Sequence, residues 1–358
     1  MRKRRFRGIP RILMIAAMTT SSLHPVAPGE LLARAIGARA PLLARLHGEG
    51  TDCYRLLHGT AEGAPGLTID RYGPLLLVQT FRTPLEGTDV DAVQRTVERE
   101  LGLALPIVAN HRGEDAPAGH VAHVPTDEAL QDHFCRERGV RFLVRARHRG
   151  QDPWLFLDLR AGRALVQATA RGKRVLNLFA YTCGVGIVAA VGGATGVRNV
   201  DFAQSALEIG TRNAGANQLA DGKCTMLHSD VLPVLRQLAG LPVQRRGKHV
   251  PFTKIERQQY DLIVLDPPRF AKTSFGTIDV VNDYQSLWKP ALLALAEGGS
   301  IIATNHVPAV DEAAWHDALR RCAVKAGRPL RTLEPVAIDA DFPSFDGKPP
   351  LKVVHAQV

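Results

Sequence analysis

Residues 172–186 read GKRVLNLFAYTCGVG, and the order of residue types in that stretch decides the fold class. Val175–Phe179 is an apolar run of strand length that passes into a loop whose Gly184 and Gly186 open a helical stretch. A strand feeding a helix through a small-residue loop is the unit of an open α/β sheet, which binds ligands outside the carboxyl ends of its strands. Backbone must approach a ligand closely there. A pyrophosphate would require G-x-G-x-x-G at this turn, and these glycines do not have that spacing, so a nicotinamide dinucleotide is disfavoured. Taken by itself, a strand–glycine–helix turn is more often a plain tight turn.

Downstream the unit repeats. Apolar, β-branched runs at Arg174–Phe179, Val197–Asp201, Cys224–Asp230, Tyr260–Asp266, Ser300–His306 and Leu330–Ile338 predict strands. Between them, Val185–Val191, Gln204–Gln218, Leu232–Ala239, Val280–Ala296 and Asp311–Ala326 have helical spacing, as parallel strands joined by crossover helices require. The chain then passes DFPSFDGKPP (341–350) and ends on the alternating run Leu351–Val358, which predicts a closing antiparallel hairpin at the sheet edge. Upstream, strands are expected at Asp52–His58, Leu67–Tyr72, Leu75–Phe81 and Pro106–Asn110, with helices near Leu31–Leu46 and Val90–Leu101. That pattern reads as a smaller α+β domain over 29–148, before a larger α/β domain over 149–358. Gly113–Asp132 lacks periodicity and is expected to be loop; Arg141–Arg147 is expected to begin a strand pair leading to WLFLDLR (154–160).

Composition bounds the function. The chain has 358 residues, enough for two ordinary domains, and 45 Lys and Arg against 35 Asp and Glu. A formal net charge of +10 raises the local concentration of a polyanion such as nucleic acid. Cys53, Cys135, Cys183, Cys224 and Cys322 lie far apart, without the spacing of a metal site or a secreted disulfide framework. Reduced thiols, a cytoplasmic location and no metal are expected. Residues 1–28 are basic and expected to be disordered; MRKRRFRGIPR followed by ILMIAAM lacks a small-residue cleavage pattern, so no secretory signal is expected.

An adenosine cofactor lying across the sheet edge would meet the strand ends in succession. Asp201, ending the second strand in GVRNVDFA (196–203), is placed to accept hydrogen bonds from both ribose hydroxyls, with Phe202 beside it. Asp230, ending the third strand in SDV with Val231 after it, is placed to receive an adenine amino group. For each carboxylate, capping the following helix is the alternative. The most specific motif is YDLIVLDPPRF (260–270), in which Pro267 and Pro268 cannot continue a central strand, so the chain turns outward and exposes carbonyls beside Asp266. With Arg269 and Phe270 following, these acceptors and the aromatic ring suit a planar base, stacked on its face and held at its N–H edge. The alternative makes Phe270 a core plug behind a strand terminator.

VLNLFAYTCGVG (175–186), VDFAQSALEIGTRNAGANQL (200–219), SDV (229–231) and DPPRF (266–270) together resemble the bacterial 23S ribosomal RNA large-subunit methyltransferases of the cytosine-5 and guanine-N7 types. YRLLHGTAEGAPGLTIDRYGPLLLVQ (54–79) resembles their central α+β domain, and ERGVRF (137–142) with FLDLR (156–160) resembles the approach to their catalytic domain. The resemblance implies a class I methyltransferase fold: a Rossmann-like, mostly parallel seven-stranded sheet with an antiparallel C-terminal hairpin, using S-adenosyl-L-methionine to methylate RNA, ribosomal RNA above all. It further implies that Phe156, Asp158 and Arg160 flank the cofactor, that Asn177, Phe179, Tyr181, Thr182 and Gly184 line it, and that Asp201, Asp230 and Asp266 complete its site. This chain departs from the family at Leu159, where a polar residue is usual, and at Cys183, where glycine is common. The sequence before Leu31 is too short for the PUA domain that opens the cytosine-5 enzymes, so that RNA anchor is expected to be absent. LPVQRRGKHVPFTKIERQQ (241–259) reads as an insertion whose Arg245, Arg246 and Lys248 contact phosphates or, alternatively, form a solvated loop; Arg269 is a further RNA contact.

Chemistry separates the two family types. Carbon 5 of cytosine is not nucleophilic until a thiolate adds to the ring. In the cytosine-5 relatives that cysteine ends the fifth strand, whereas here the strand reads SIIATNH (300–306), with Asn305 in its place. Direct in-line transfer to a nitrogen is therefore expected, with Asp266 and Asn305 holding the base and Cys183 as the rival thiol. A methyltransferase for a protein or small molecule, and a non-catalytic RNA-binding protein, are the competing readings.

Overall fold

The computed structural model describes residues 26–113, 126–148, 152–243 and 250–358. The chain opens with α1 (Pro28–Ala38) and α2 (Ala40–Gly48), where periodicity alone suggested one helix. The break falls at Arg39, because Pro41 in the first turn of α2 has no N–H to continue the ladder. β1 (Cys53–His58), β2 (Leu67–Tyr72), β3 (Leu75–Thr80), α3 (Gly87–Leu101) and β4 (Ile107–His111) follow. They form a four-stranded sheet in the order β1-β2-β3-β4, antiparallel except for the β3–β4 pair. β3 is buried on both faces: Leu76 and Val78 meet α1–α3, while Leu75 and Leu77 enter the core shared with the rest of the chain.

A short helix, α4 (Thr126–Leu130), occupies part of the segment read as loop. β5 (His133–Glu137) and β6 (Val140–Val144) then pair with each other through Arg138 and Gly139, whose φ values of 50° and 80° suit a two-residue hairpin turn. Arg141–Val144 is thus the second strand of a pair, and WLFLDLR is an irregular approach to α5 (Arg160–Thr169). That helix escaped the sequence reading because its buried face carries Arg160 and Arg163, which erase the apolar stripe of an ordinary amphipathic helix.

The larger sheet matches the expected order of elements: β7 (Arg174–Leu178), α6 (Gly184–Val191), β8 (Gly196–Asp201), α7 (Gln204–Ala216), β9 (Cys224–His228), α8 (Val231–Leu238) and β10 (Tyr260–Leu265). β11 (Phe270–Thr273) and β12 (Gly276–Asp279) form an unanticipated hairpin, polar and half-exposed, so it has no alternating signature. α9 (Gln285–Ala294), β13 (Leu295–Asn305), α10 (Glu312–Lys325), β14 (Thr332–Pro335) and β15 (Lys352–Gln357) complete it. The seven strands lie in the order β14-β15-β13-β10-β7-β8-β9. β15 enters antiparallel between β13 and β14, which is the closing hairpin predicted from residues 330–358 and the sheet of a class I methyltransferase. α5–α7 pack on one face and α8–α10 on the other.

The two sheets are clamped by buried charge. The Arg160 guanidinium donates to Asp339 (2.8 Å), to Asp341 (2.6 Å) and to the Cys53 carbonyl (3.2 Å). Asp341 also accepts from the Arg55 backbone N–H at 3.0 Å. Arg163 holds Glu137 through two hydrogen bonds of 2.7 and 2.6 Å, and Tyr72 donates its hydroxyl to the Leu155 carbonyl at 3.0 Å. Among the described residues, no helix is long and apolar enough to cross a membrane and no cluster of side chains has the makings of a metal site.

Candidate active site

A cavity of about 500 Å³ opens at the carboxyl ends of β7, β8, β10 and β13, the position open α/β sheets use for ligands. Its floor is the loop after β7. Phe179, Tyr181 and Cys183 there have φ values of 59°, 48° and 62°, a region that L-residues occupy at a cost of roughly 1–3 kcal/mol each. The surroundings impose it: Ala180 N–H donates to the Val200 carbonyl (3.0 Å), Tyr181 N–H to Asp201 (2.8 Å), and the Thr182 hydroxyl to the Trp154 carbonyl (2.6 Å). Gly186 lets α6 lie on β8, since a Cβ there would stand 1.9 Å from the Asn199 amide oxygen. The same Asn199 oxygen accepts from Asn177 at 2.9 Å, and Asn177 faces the cavity.

Asp201 lines the cavity with both carboxylate oxygens already anchored, one by Tyr181 N–H and the other by Ala203 N–H, each at 2.8 Å. It does not cap α7; it ties the loop after β7 to the end of β8. Lone pairs remain for hydroxyl donors. Phe156 and Phe202 stand at the rim, 51% and 61% exposed, as apolar plates beside an open cavity. Asp158 and Asp266 put two carboxylates in the lining. Burial raises the pKa of both; Arg55 and Arg163 oppose the rise at Asp158, and the Thr304 hydroxyl, donating across from β13, opposes it at Asp266. Pro267 and Pro268 continue the lining from Asp266, and Phe179, Tyr181, Thr182 and Gly184 complete the expected set that faces it.

Several expected residues lie elsewhere. Arg160 is 2% exposed and spent on Asp339, Asp341 and the Cys53 carbonyl, so it braces the domain junction; Arg163, one helical turn on, reaches the cavity instead. Asp230 caps α8 by accepting from Leu232 N–H at 2.8 Å, and Val231 is core, so the capping alternative describes this strand end. Asn305 is 1% exposed: its amide nitrogen donates to the Val280 carbonyl (3.2 Å) and its oxygen accepts from Val307 N–H (3.0 Å). The pleat explains this, because alternate residues of a strand face opposite ways; Thr304 reaches Asp266 and His306 reaches the cavity, while Asn305 turns inward. Phe270 is neither a core plug nor a cavity wall: it is 52% exposed on β11, with the Lys272 ammonium 5.8 Å from its ring, and with Arg269 it borders a separate small depression. Arg245, Arg246 and Lys248 fall outside the described residues.

None of the five cysteines lines the cavity. Cys183, the rival thiol, is fully buried with its sulfur 3.4 Å from the Met226 sulfur and over Gly210, where a Cβ would come within 2.5 Å of it. Sequence reasoning missed Trp154, Leu155 and His306 in the lining. His306 was recoverable by counting two positions on from Thr304; Trp154 was not, because it sits at φ 73° in an irregular segment placed by tertiary contacts, among them the hydrogen bond from Thr182 and the Arg145 guanidinium over its ring.

Comparison with known proteins agrees with this geometry. Residues 54–356 match the model of an S-adenosylmethionine-dependent methyltransferase family. A ribosomal RNA large subunit methyltransferase I of Aeromonas salmonicida strain A449 is 29% identical over 308 residues, covering 86% of this chain and 73% of that protein. Its namesake from Aeromonas hydrophila subsp. hydrophila is 30% identical over 301 residues, covering 82% and 71%. Among solved structures, a protein described as a methyltransferase and crystallised with S-adenosylhomocysteine superposes with a TM-score of 0.72 at 23% identity, covering 92% of this chain and 81% of that one, a likeness of fold.

Proposed function

This chain belongs to the S-adenosylmethionine-dependent methyltransferase family, and from that premise we propose that it methylates a base of RNA, ribosomal RNA in the first place, by direct transfer to a nitrogen. The observation that carries the reading is the strand end Asp266-Pro267-Pro268 facing a cavity that no cysteine lines. The relatives' names support an RNA substrate, as does the net charge of +10.

The cavity fits the cofactor. Its carboxylates complement a sulfonium cation, Asp201 offers acceptors to ribose hydroxyls, and the exposed rings of Phe156 and Phe202 suit an adenine face. S-Adenosylmethionine supplies a methyl group already activated on sulfur, so the protein's task is positioning and electrostatics. Asp266 and the carbonyls exposed by the two prolines accept from the N–H edge of the base and aim its nitrogen at the methyl. Thr304 fixes the Asp266 carboxylate, and His306 takes the place beside the base that the sequence had assigned to Asn305. A nitrogen lone pair attacks without prior activation, so no covalent enzyme–RNA bond forms. RNA substituted with 5-fluorocytidine tests this: methyl-tritiated cofactor should label ordinary ribosomal RNA with no denaturation-resistant protein–RNA adduct, whereas an adduct on the substituted RNA restores the cytosine-5 reading. Label appearing in protein and not in RNA would overturn the substrate class.

A further inference from the structure

The guanidinium groups at the domain junction each face a carboxylate: Arg39 meets Glu62, Arg55 meets Asp70, Arg163 meets Glu137, and Arg160 meets Asp339 and Asp341. Arg112 and Arg147 do not. Both are half-buried, at the ends of β4 and β6, and each is held by a neutral amide. Arg112 Nε donates to the Gln79 amide oxygen at 2.7 Å; Arg147 donates to the Asn110 amide oxygen through Nη2 at 2.8 Å and Nε at 3.2 Å. Gln79 and Asn110 are register partners across β3 and β4, 8% and 5% exposed, so the amides that hold the two guanidinium groups stand at neighbouring positions of the small sheet. Their backbones are pinned too: Arg112 N–H donates to the Thr80 carbonyl (2.7 Å) and Arg147 N–H to the Ala129 carbonyl (2.9 Å).

Among the described residues, no carboxylate stands within ion-pair distance of either arginine. Asp152 attracts Arg112 from farther off, while its oxygens accept the Tyr181 hydroxyl at 3.0 and 3.1 Å. Burial lowers the pKa of both arginines, and Arg112 adds to the lowering at Arg147, so the two cations lie near enough to repel each other. An amide acceptor orients a guanidinium without neutralising it. Two oriented guanidinium groups with no ion-pair partner among the described residues fit an oxyanion, and Asp152, which attracts Arg112, also accepts from Tyr181 in the cavity lining.

We propose that Arg112 and Arg147 form a clamp for a backbone phosphate of the RNA substrate close to the target nucleotide, an inference that rests on the RNA reading above. The test measures binding of a fluorescein-labelled single-stranded RNA oligonucleotide of mixed sequence across a salt series, alongside S-adenosylmethionine affinity by calorimetry, for wild type and for the double variant Arg112→Gln, Arg147→Gln. The slope of log affinity against log salt should flatten by about 0.7–1, with RNA affinity at low salt falling roughly tenfold or more and cofactor affinity unchanged. Lysine at both positions should restore the slope and only part of the affinity, since it returns the charge without the fork. A control lacking the exposed Arg99 and Arg320 as glutamines should keep the wild-type slope. An unchanged slope in the Arg112/Arg147 variant, an equal loss in the control, or a loss of cofactor affinity with RNA binding intact would overturn the clamp and leave the RNA reading standing. A wild type that retains no RNA at low salt overturns both.

Discussion

The most informative single residues are those whose side chains do two jobs. Asp201 holds the strained loop through Tyr181 N–H and faces the cavity. Asp201→Ala should therefore weaken S-adenosylmethionine binding about tenfold or more, since a charge-assisted hydrogen bond is worth roughly 1.5–3 kcal/mol, and calorimetric titration of the folded variant reads it directly. Unchanged affinity would remove Asp201 from the site. Thr304 makes a prediction in pH. Its hydroxyl donates to the Asp266 carboxylate and stabilises the ionised form, holding down a pKa that burial raises. Thr304→Val removes that donor, so the Asp266 pKa rises further. If the ionised carboxylate orients the base, the acid limb of the kcat/KM profile should move to higher pH, with the alkaline plateau reduced far less. A limb that stays in place would free Asp266 from that role.

At the scale of elements, glycine and cysteine positions report how helices seat on the sheet. Cys183 occupies a left-handed position before α6, at φ 62°, which is a conformation that glycine adopts freely. Its sulfur fits only because Gly210 on α7 has no Cβ. Gly210→Ala should cost about 1–3 kcal/mol by overpacking, and Cys183→Gly should rescue most of that loss in the double variant, as thermal denaturation of the four proteins in the cycle would show. Additive effects would mean that the two side chains do not compete for the same space. The parallel strands and crossover helices of the large domain were legible because, the half-exposed β9 apart, each is an apolar run or stripe on a buried face. α5 and the β11–β12 hairpin were not: the first buries arginines, and the second buries too little to leave a pattern.

For the whole molecule, the decisive feature is a charged junction inside a shared core. Arg160 and Asp341 are 2% and 0% exposed and bind each other at 2.6 Å, between the small sheet and the large one. Arg160→Ala strands a buried carboxylate and should destabilise the protein by about 3–5 kcal/mol, whereas Arg160→Met combined with Asp341→Leu should cost much less because no charge is left unpaired. Chemical denaturation followed by tryptophan fluorescence compares them. A single variant as stable as wild type would show that the junction charge is solvated.

The sequence by itself determined what depends on local pattern: the alternation of strands and helices, the closing antiparallel hairpin, the strand end at Asp266-Pro267-Pro268, and Asp201 at the end of β8. Those follow from periodicity and from the backbone limits of proline, which act within a few residues. Tertiary structure alone decided which side chains at the strand ends face the cavity. Asn305 turns away and His306 turns in because β13 pairs with β10 and β15 in one register, Asp230 is drawn into capping α8, and Arg160 is recruited by Asp339 and Asp341 nearly 180 residues later. The orientation of a polar side chain is set by the partner that satisfies it best, and that partner is supplied by the fold.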